Sequence, residues 1–263
     1  MTLAADLYIV SIMKTFDPIE KAKELEQIVR QGDSRKYYRI PRPGRWYGGI
    51  ATADCCGCNL KCVFCWSNKP RDNPKTIGEF YTPEQVFTKI THCARNHHYR
   101  LLRISGNEPT IVKNHLLKVL SMVEKTQYVF ILETNGTLLD KTYVQDLSKF
   151  KNLHVRVSLK GTTPEEFALL TAALPETFDT ILNNLKYLVD YKVKFNLAVM
   201  LSFSPDENIV LLKKRLRDIS PAIIKDFEEE YIFLYPHVVH RLKKTGIKPL
   251  IAYTPGGIPK KFI

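Results

Sequence analysis

Apolar residues follow two alternating rhythms along the chain. Short runs that are apolar and β-branched, without strict apolar–polar alternation, predict strands buried on both faces, as in parallel sheets. Between these runs, apolar residues recur every three or four positions, which predicts amphipathic helices. The predicted strands are 48–54, 100–105, 128–134, 153–159, 193–201 and 230–236, and the predicted helices are 83–98, 114–125, 139–150, 164–173, 176–191 and 206–219.

A helical segment follows every predicted strand except the last. Repeated βα units predict a single α/β domain with a parallel sheet, which is either doubly wound or closed toward a barrel. In both arrangements the chemistry collects at the carboxyl ends of the strands. The residues that directly follow each strand are therefore the first candidates for a functional site.

Two segments lie before and after this βα region. Residues 17–31 predict a helix, with Asp17 and Glu20 as the ends of a capping box. Residues 35–47 alternate five basic residues with four aromatics, and their two prolines exclude a regular helix, so we expect an extended arm. That arm either contacts nucleic acid, through backbone contact and base stacking, or packs on the domain as a strand or loop. Residues 237–263 are basic, rich in Pro and Gly, and predicted to wrap the surface.

The predicted division is therefore an N-terminal helix and arm (1–47), a core domain (48–236) and a tail (237–263). The chain has 263 residues and a formal net charge of +12, with 39 Lys and Arg against 27 Asp and Glu. Such a balance is typical of proteins with a polyanionic partner such as RNA, and equally of a lysine-rich solvated surface. No window of about 18 apolar residues predicts a membrane span. The N-terminal apolar run lacks the basic residues and cleavage site of a signal peptide, so we expect a cytoplasmic protein.

Five of the six cysteines lie within residues 52–70. Bunched cysteines in a cytosolic protein indicate metal binding or catalysis rather than disulfides. Cys58, Cys62 and Cys65 are spaced C-x3-C-x2-C, so three thiolates from one loop converge on one centre. A structural zinc site needs four ligands. Three thiolates on an iron–sulfur cube leave one iron open to an outside molecule.

The remaining cysteines leave alternatives open. Cys55 and Cys56 are candidates for a core residue at a strand end and a solvent-facing thiol, or for a supporting role near the metal. A Cys3His zinc site would combine the last two loop cysteines with Cys93 and His97. Cys93 falls on the apolar side of its predicted helix, which favours a small core residue instead.

The C-x3-C-x2-C motif, with Phe64 between its last two cysteines, resembles the radical SAM superfamily. The resemblance implies a partial (β/α)6 TIM-type barrel of parallel strands and a [4Fe–4S] cluster on Cys58, Cys62 and Cys65. It implies that S-adenosylmethionine (SAM) occupies the open iron and is reductively cleaved to a 5′-deoxyadenosyl radical, which abstracts a hydrogen atom from a substrate. It also implies a ferredoxin- or flavodoxin-like electron donor. No catalytic side chain is assigned.

The second and third predicted strand ends extend the resemblance. S-G-N-E-P at 105–109 resembles the G-G-E-P segment that binds the methionine amino group, with Ser for the first Gly and an inserted Asn107. The resemblance implies that the backbone at Gly106 approaches SAM closely and that Glu108 supplies the carboxylate for the SAM ammonium group. T-N-G at 134–136 resembles the branch with the glycyl-radical-enzyme activases, and places Thr134 and Asn135 toward SAM.

The fourth and fifth strand ends add three candidates. S-L-K resembles the D-x-K of the activase branch, whose lysine pairs with the SAM carboxylate. Lys160 matches that lysine, and Ser158 replaces the acid, with a ribose hydroxyl as its candidate partner. Leu201 stands where the family often places an apolar residue against the adenine. His237 follows the sixth strand and is a candidate for substrate contact or for a structural role.

Three functions remain open. The first is an activase-like enzyme that takes hydrogen from a protein or a small molecule. The second is a tRNA base-modifying enzyme, because C-V-F-C-W resembles the wyosine-forming tRNA enzymes and the charge and basic arm suit RNA. The third is a non-catalytic zinc-binding nucleic-acid module. Steeply salt-dependent tRNA affinity would favour the second.

Overall fold

The computed structural model describes residues 14–257, and its main sheet contains nine strands. Residues 1–13, which carry the N-terminal apolar run, and the last residues of the predicted tail lie outside the described residues. The strands are β1 (Arg30–Gln31), β2 (Ser34–Gly44), β3 (Ile50–Cys55), β4 (Glu79–Tyr81), β5 (Leu101–Ser105), β6 (Val129–Thr134), β7 (Leu153–Leu159), β8 (Phe195–Met200), β9 (Glu228–Glu230), β10 (Ile232–Phe233) and β11 (Ala252–Tyr253).

Helices connect most of these strands, and side-chain caps fix several of their first turns. Thr82 and Gln85 form a reciprocal capping box. Asp17 accepts a hydrogen bond from the Ile19 amide, whereas Glu20 pairs with Lys23 and does not close the predicted box. The helices are α1 (Pro18–Val29), α2 (Asn68–Asp72), α3 (Pro83–Asn96), α4 (Lys113–Val123), α5 (Lys141–Leu147), α6 (Pro164–Thr171), α7 (Thr177–Asp190), α8 (Asp206–Ile219), α9 (Pro221–Lys225) and α10 (Pro236–Thr245).

The parallel part of the sheet runs in the order β3-β5-β6-β7-β8-β9. Its two outer strands, β3 and β9, do not pair with each other, so the barrel is not closed. The expected α/β fold, a partial TIM-type barrel of parallel strands, is confirmed. On the far side of β3, the antiparallel strand β2 extends the sheet.

The two faces of the parallel sheet differ more than the sequence pattern indicated. Alternate residues of β5 to β8 pack against the helices in an apolar core, for example Leu102, Phe130, Val155 and Leu197. Their neighbours point to the inside of the open barrel, where many are charged or polar. Most residues of β5, β7 and β8 are buried on both faces, as expected, but the strands alternate in polarity and only the helix-side face is apolar.

The sixth predicted strand, 230–236, is also wrong in its position. β9 ends at Glu230, and the following β10 leaves the main sheet to pair in parallel with β11. The tail begins with α10, which the sequence analysis did not predict. Pro236 starts this helix, and Gly246 ends it with φ of 71°. Both residues favour helix ends, so composition alone suggested an irregular segment.

The basic-aromatic segment is a strand of the domain. β2 pairs with β3, and the Arg35 side chain within it is buried, donating hydrogen bonds to the carbonyls of Glu108 and Pro109 at 2.6 Å. This agrees with the packed-strand interpretation of the arm. The division of the chain at residues 47 and 236 stays a prediction. Within residues 14–257, no helix has the length and apolar character needed to cross a membrane.

Candidate functional site

The cysteine motif lies in the loop between β3 and α2. Backbone hydrogen bonds of 2.9 Å tie the amides of Lys61 and Val63 to the end of α6. The loop therefore has a fixed path across the carboxyl edge of the sheet, where the sequence predicted chemistry.

The structure brings Cys58, Cys62 and Cys65 together. Burial raises the pKa of the Cys58 thiol well above its ordinary value of 9.0, and the charges of Glu108 and Cys62 raise it further. Burial raises the pKa of Cys62 to about 11, while the nearby Lys160 opposes the shift and Cys65 adds to it. As free thiols, Cys58 and Cys62 therefore stay protonated at neutral pH, and a bound cation would hold them as thiolates.

The other two cysteines of the segment face elsewhere. Cys55 is buried in the main core at the end of β3. Cys56 packs in a second apolar cluster under α1, and its thiol donates to the Ile77 carbonyl at 3.4 Å. Both are buried, so the suggested solvent-facing thiol is wrong.

The zinc alternative finds no support in this geometry. Cys93 is buried in the main core, and His97 stacks on Tyr99 with ring centroids 5.2 Å apart. In the part of the chain that the structure describes, no three His, Cys, Asp or Glu side chains are grouped so as to hold a metal ion. A cube binds each thiolate through a different iron, so its ligands are spaced more widely than those of one ion.

Two arginines and one histidine donate hydrogen bonds to backbone carbonyls of the cysteine loop. Arg71 donates to the Cys62 carbonyl at 2.7 Å. Arg241 of α10 donates to the carbonyls of Val63, at 2.9 Å, and Cys65. His237, one turn earlier, lies 3.0 Å from the Trp66 carbonyl. Sequence reasoning missed both arginines, because neither belongs to a motif and Arg241 lies far along the chain.

Glu108 connects two strand ends. Its carboxylate accepts four hydrogen bonds, two from Thr110, one from the Thr134 hydroxyl at 2.7 Å and one from the Asn135 amide at 2.8 Å. Three of these bonds reach Oε1 and one reaches Oε2, and the side chain is buried. Glu108 and Thr134 therefore hold the two loops together, and their direct contacts with SAM stay a prediction.

Asn135 does lie beside the cysteines. Its side-chain amide nitrogen donates to the side-chain Oδ1 of Asn59 at 2.9 Å and approaches the Cys58 sulfur at 3.9 Å. The loop that contains Gly106 and Asn107 is also closely packed. Gly106 has φ of 92°, and an added Cβ would lie 2.9 Å from Asp54 Cβ, so only glycine fits there.

Asn107 leaves one polar atom open. Its amide nitrogen donates to the Ser67 hydroxyl at 2.9 Å and to the Gly106 carbonyl at 3.0 Å. Its Oδ1 is buried and has no hydrogen-bond partner among the described residues. A buried acceptor without a donor is costly, and a bound ligand with an N–H group would satisfy it.

Ser158 and Lys160 meet a carboxylate that the sequence analysis did not identify. Glu230 accepts from the Ser158 hydroxyl at 2.6 Å, and the Lys160 ammonium lies 3.4 Å away. Burial alone would raise the pKa of Glu230, but the charges of Lys160 and Arg156 outweigh it and lower that pKa to about 2. Glu230 is thus ionised at neutral pH and holds Lys160 at the strand end.

At the fifth strand end, Leu201 is buried in the main core, whereas Met200 lines the cavity inside the barrel. Adjacent residues of an extended chain face opposite sides, which explains this difference. The contact of Leu201 with the adenine stays a prediction. Phe64 also lines the cavity and stacks on Phe203 with centroids 5.8 Å apart.

A cavity of about 550 Å³ lies inside the open barrel, next to the cysteine loop. Its walls carry ion pairs, including Arg103–Glu133 at 2.8 Å and Arg156–Glu228 at 2.5 Å. The β2 wall is held by Asp54, which binds both Arg39 and Arg42. Trp46 and Phe233 close one side as a stacked pair, 6.3 Å between centroids. The volume is that of a site for a cofactor-sized molecule.

Residues 54–216 match the sequence model of the Radical SAM superfamily. The chain belongs to the radical SAM superfamily. The match begins at the end of β3 and includes the cysteine loop and all strand ends up to β8. The superfamily uses a [4Fe–4S] cluster and SAM, which are accordingly the cofactors of this chain. Which residues bind them is not tested by the match.

Two curated radical SAM relatives cover part of the chain. A probable GTP 3′,8-cyclase of Methanococcus vannielii is 33% identical over 116 residues, 43% of this chain and 37% of that protein. A cysteine-type anaerobic sulfatase-maturating enzyme of Clostridium perfringens is 25% identical over 183 residues, 65% of this chain and 47% of that protein. The chain thus matches less than half the length of each.

Solved radical SAM structures share the fold. SuiB of Streptococcus suis bound to S-adenosylmethionine has a TM-score of 0.55 and 18% identity, over 75% of this chain and 48% of SuiB. Native anSMEcpe with bound AdoMet has a TM-score of 0.51 and 21% identity, over 69% of this chain and 52% of that protein. At these identities the likeness concerns the fold.

Proposed function

We propose that the chain reductively cleaves SAM and abstracts a hydrogen atom from a substrate held in the cavity. The observation that carries the proposal is the meeting of Cys58, Cys62 and Cys65 in one loop beside a cavity of about 550 Å³. These thiols would hold the cluster, which together with SAM would supply a 5′-deoxyadenosyl radical.

The residues present fit these cofactors. The loop offers three thiols, which suits a cube with one iron left for SAM. Cys55 and Cys56 are buried away from it, so neither competes for that iron. The unpartnered Oδ1 of Asn107 and the ammonium of Lys160 offer an acceptor and a cation at the carboxyl ends of β5 and β7, two strands of the same sheet. An amino acid moiety needs this pair of groups.

The binding roles follow from these positions. Lys160 binds the SAM carboxylate, and the loop of Gly106 and Asn107 receives the ammonium. Met200 and Phe64 provide apolar surface for the adenine. Glu108, Thr134 and Ser158 position these groups through their hydrogen bonds, and Leu201 supports the core behind Met200.

The substrate is proposed to be a small molecule or a peptide segment that enters the open barrel, as in an activase-like enzyme. The names of the two curated relatives, one a GTP cyclase and one a protein-modifying enzyme, are compatible with either. The basic segment that suggested tRNA is β2, whose Arg39 and Arg42 bind Asp54 in the cavity wall. An external ferredoxin- or flavodoxin-like donor supplies the electron.

The first test compares two cysteines. Replacing Cys62 with Ala should abolish iron and sulfide binding and 5′-deoxyadenosine release under anaerobic conditions, because the cube loses a ligand. The control Cys93→Ala removes a buried thiol outside the loop and should retain both. Equal iron content in the two variants would contradict the ligand assignment.

The second test concerns SAM. Lys160→Met should weaken SAM binding about tenfold with unchanged iron content, since a charge-assisted contact to the carboxylate is lost. Lys194→Met is the matched control, because Lys194 directly precedes β8 and so lies at the opposite, amino-terminal end of the sheet strands. Equilibrium dialysis with labelled SAM measures both, and equal affinities would remove Lys160 from the site.

The third test concerns the substrate class. Small-molecule extract, total protein and total tRNA are added separately to the reduced enzyme, and 5′-deoxyadenosine is quantified. We expect stimulation by the first or the second. Stimulation by tRNA alone would reject the proposed substrate class and favour the base-modifying alternative.

A further inference from the structure

The cysteine loop receives hydrogen bonds from two guanidinium groups, those of Arg71 and Arg241. Arg71 follows the loop in sequence and binds the Cys62 carbonyl, whereas Arg241 comes from α10 and binds the carbonyls of Val63 and Cys65. Together they fix the backbone at the last two cysteines.

The two arginines differ in whether a carboxylate forms an ion pair with them. Arg71 forms a two-pronged ion pair with Asp72, with N–O distances of 2.7 and 3.0 Å. Within residues 14–257, no carboxylate lies at ion-pair distance from Arg241. The Arg241 charge therefore has no ion-pair partner in that range and is affected by Asp72 only at longer distance, whereas Asp72 offsets the Arg71 charge at short range.

Helix α10 holds Arg241 in this position. Val238 and Leu242 of the helix are buried beside Met200 and Ile232. His237 and Arg241 are four residues apart and so lie on one face of the helix, which faces the loop. The helix is anchored by its apolar face, so the Arg241 side chain can be changed without removing that anchor.

We propose that Arg241 is a positioning residue that keeps an uncompensated positive charge beside the cluster and thereby raises its reduction potential. This inference rests on the proposed function, because it requires the cluster on Cys58, Cys62 and Cys65. Three thiolates make the oxidised site anionic, and uptake of one electron from a low-potential donor makes it more so. A fixed cation nearby stabilises the reduced form more than the oxidised form.

The experiment is a potentiometric titration of the reconstituted enzyme with dithionite, followed by electron paramagnetic resonance of the reduced cluster. Arg241→Gln should lower the ratio of reduced to oxidised cluster about tenfold at a given potential, equivalent to about 59 mV for a one-electron couple. Arg241→Lys keeps the charge and should stay near the wild-type ratio. Lys244→Gln removes an exposed charge from the same helix and should leave the ratio unchanged.

A further variant acts in the opposite direction. Asp72→Asn frees the charge of Arg71 and should raise the ratio. If Arg241→Gln does not retain a cluster, Asp72→Asn is the deciding variant, and an unchanged ratio of reduced to oxidised cluster in it overturns the inference. A wild-type ratio in Arg241→Gln also overturns it. An equal fall of the ratio in Arg241→Gln and Arg241→Lys overturns it as well. A wild-type protein without an iron–sulfur signal would instead refute the proposed function itself.

Discussion

The two faces of the parallel sheet perform different tasks with the same strands. The helix-side face is apolar and closely packed, with Phe130, Leu132, Val155 and Val157 fully buried. The cavity-side face carries ion pairs that link different strands of the sheet. The first face stabilises by removal of apolar surface from water. The second keeps the inside of an open barrel wide enough for a cofactor while its charges remain paired.

The comparison shows that burial and polarity are separable in this sheet. Arg103 and Arg156 are as inaccessible as many core residues, at 5% and 8% exposure, yet each binds a carboxylate on another strand. Arg103 of β5 binds Glu133 of β6, and Arg156 of β7 binds Glu228 of β9. Buried charges of this kind are tolerated only when paired. Substitutions on the first face should therefore affect stability, and substitutions on the second should affect pH dependence and ligand binding.

The largest effect is expected on the helix-side face. Phe130→Ala should lower the free energy of unfolding by about 3–5 kcal/mol, because it leaves a cavity in the core. Val129→Ala, at the adjacent and exposed position, should cost less than about 1 kcal/mol. Urea unfolding measures both. Similar losses in the two variants would contradict the assignment of the faces.

A smaller, pH-dependent effect is expected at Glu230. Its pKa in the folded state is about 2, below the ordinary 4.5, so ionised Glu230 stabilises the fold above about pH 4.5. That contribution disappears as the pH falls toward 2. At neutral pH, Glu230→Gln should cost about 2 kcal/mol, and the difference from wild type should shrink in acid. A difference that is constant between pH 7 and 3 would show that the Glu230 charge is not the cause.

The smallest effect is expected on SAM affinity, in a comparison of Met200, the last residue of β8, with Leu201, which follows it. Met200→Ala should raise the Kd for SAM about fivefold, roughly 1 kcal/mol, because apolar surface in the cavity is lost. Leu201→Ala should leave that Kd unchanged and lower stability by about 2–4 kcal/mol. Chemical denaturation and SAM binding, measured on both variants, separate the faces. A reversed pattern would return Leu201 to the cofactor site.

The elements with strong periodicity were predictable from the sequence. β5 to β8 and the helices α3, α4, α7 and α8 lie within a few residues of the predicted ranges, because each buries one apolar face. β9 consists of three glutamates, which no hydrophobic pattern marks, and the predicted strand was therefore placed too late.

The candidate site was predictable only where residues are adjacent in sequence. The cysteine triad and Lys160 were identified from short motifs. Glu230 meets Lys160 across 70 positions, and Arg241 meets Cys65 across 176. Such partners depend on how the sheet curves, which the local pattern does not contain. Which of Met200 and Leu201 faces the cavity was hard to predict for a related reason, since strand alternation changes the face at every residue.

The hydrogen bonds from α10 to the cysteine loop have a consequence for biogenesis. Helix α10 leaves the ribosome long after the loop that it supports. Until then the carbonyls of Val63 and Cys65 lack their donors, and the thiols belong to an unfinished chain. Iron delivery should therefore be completed only after α10 has been synthesised.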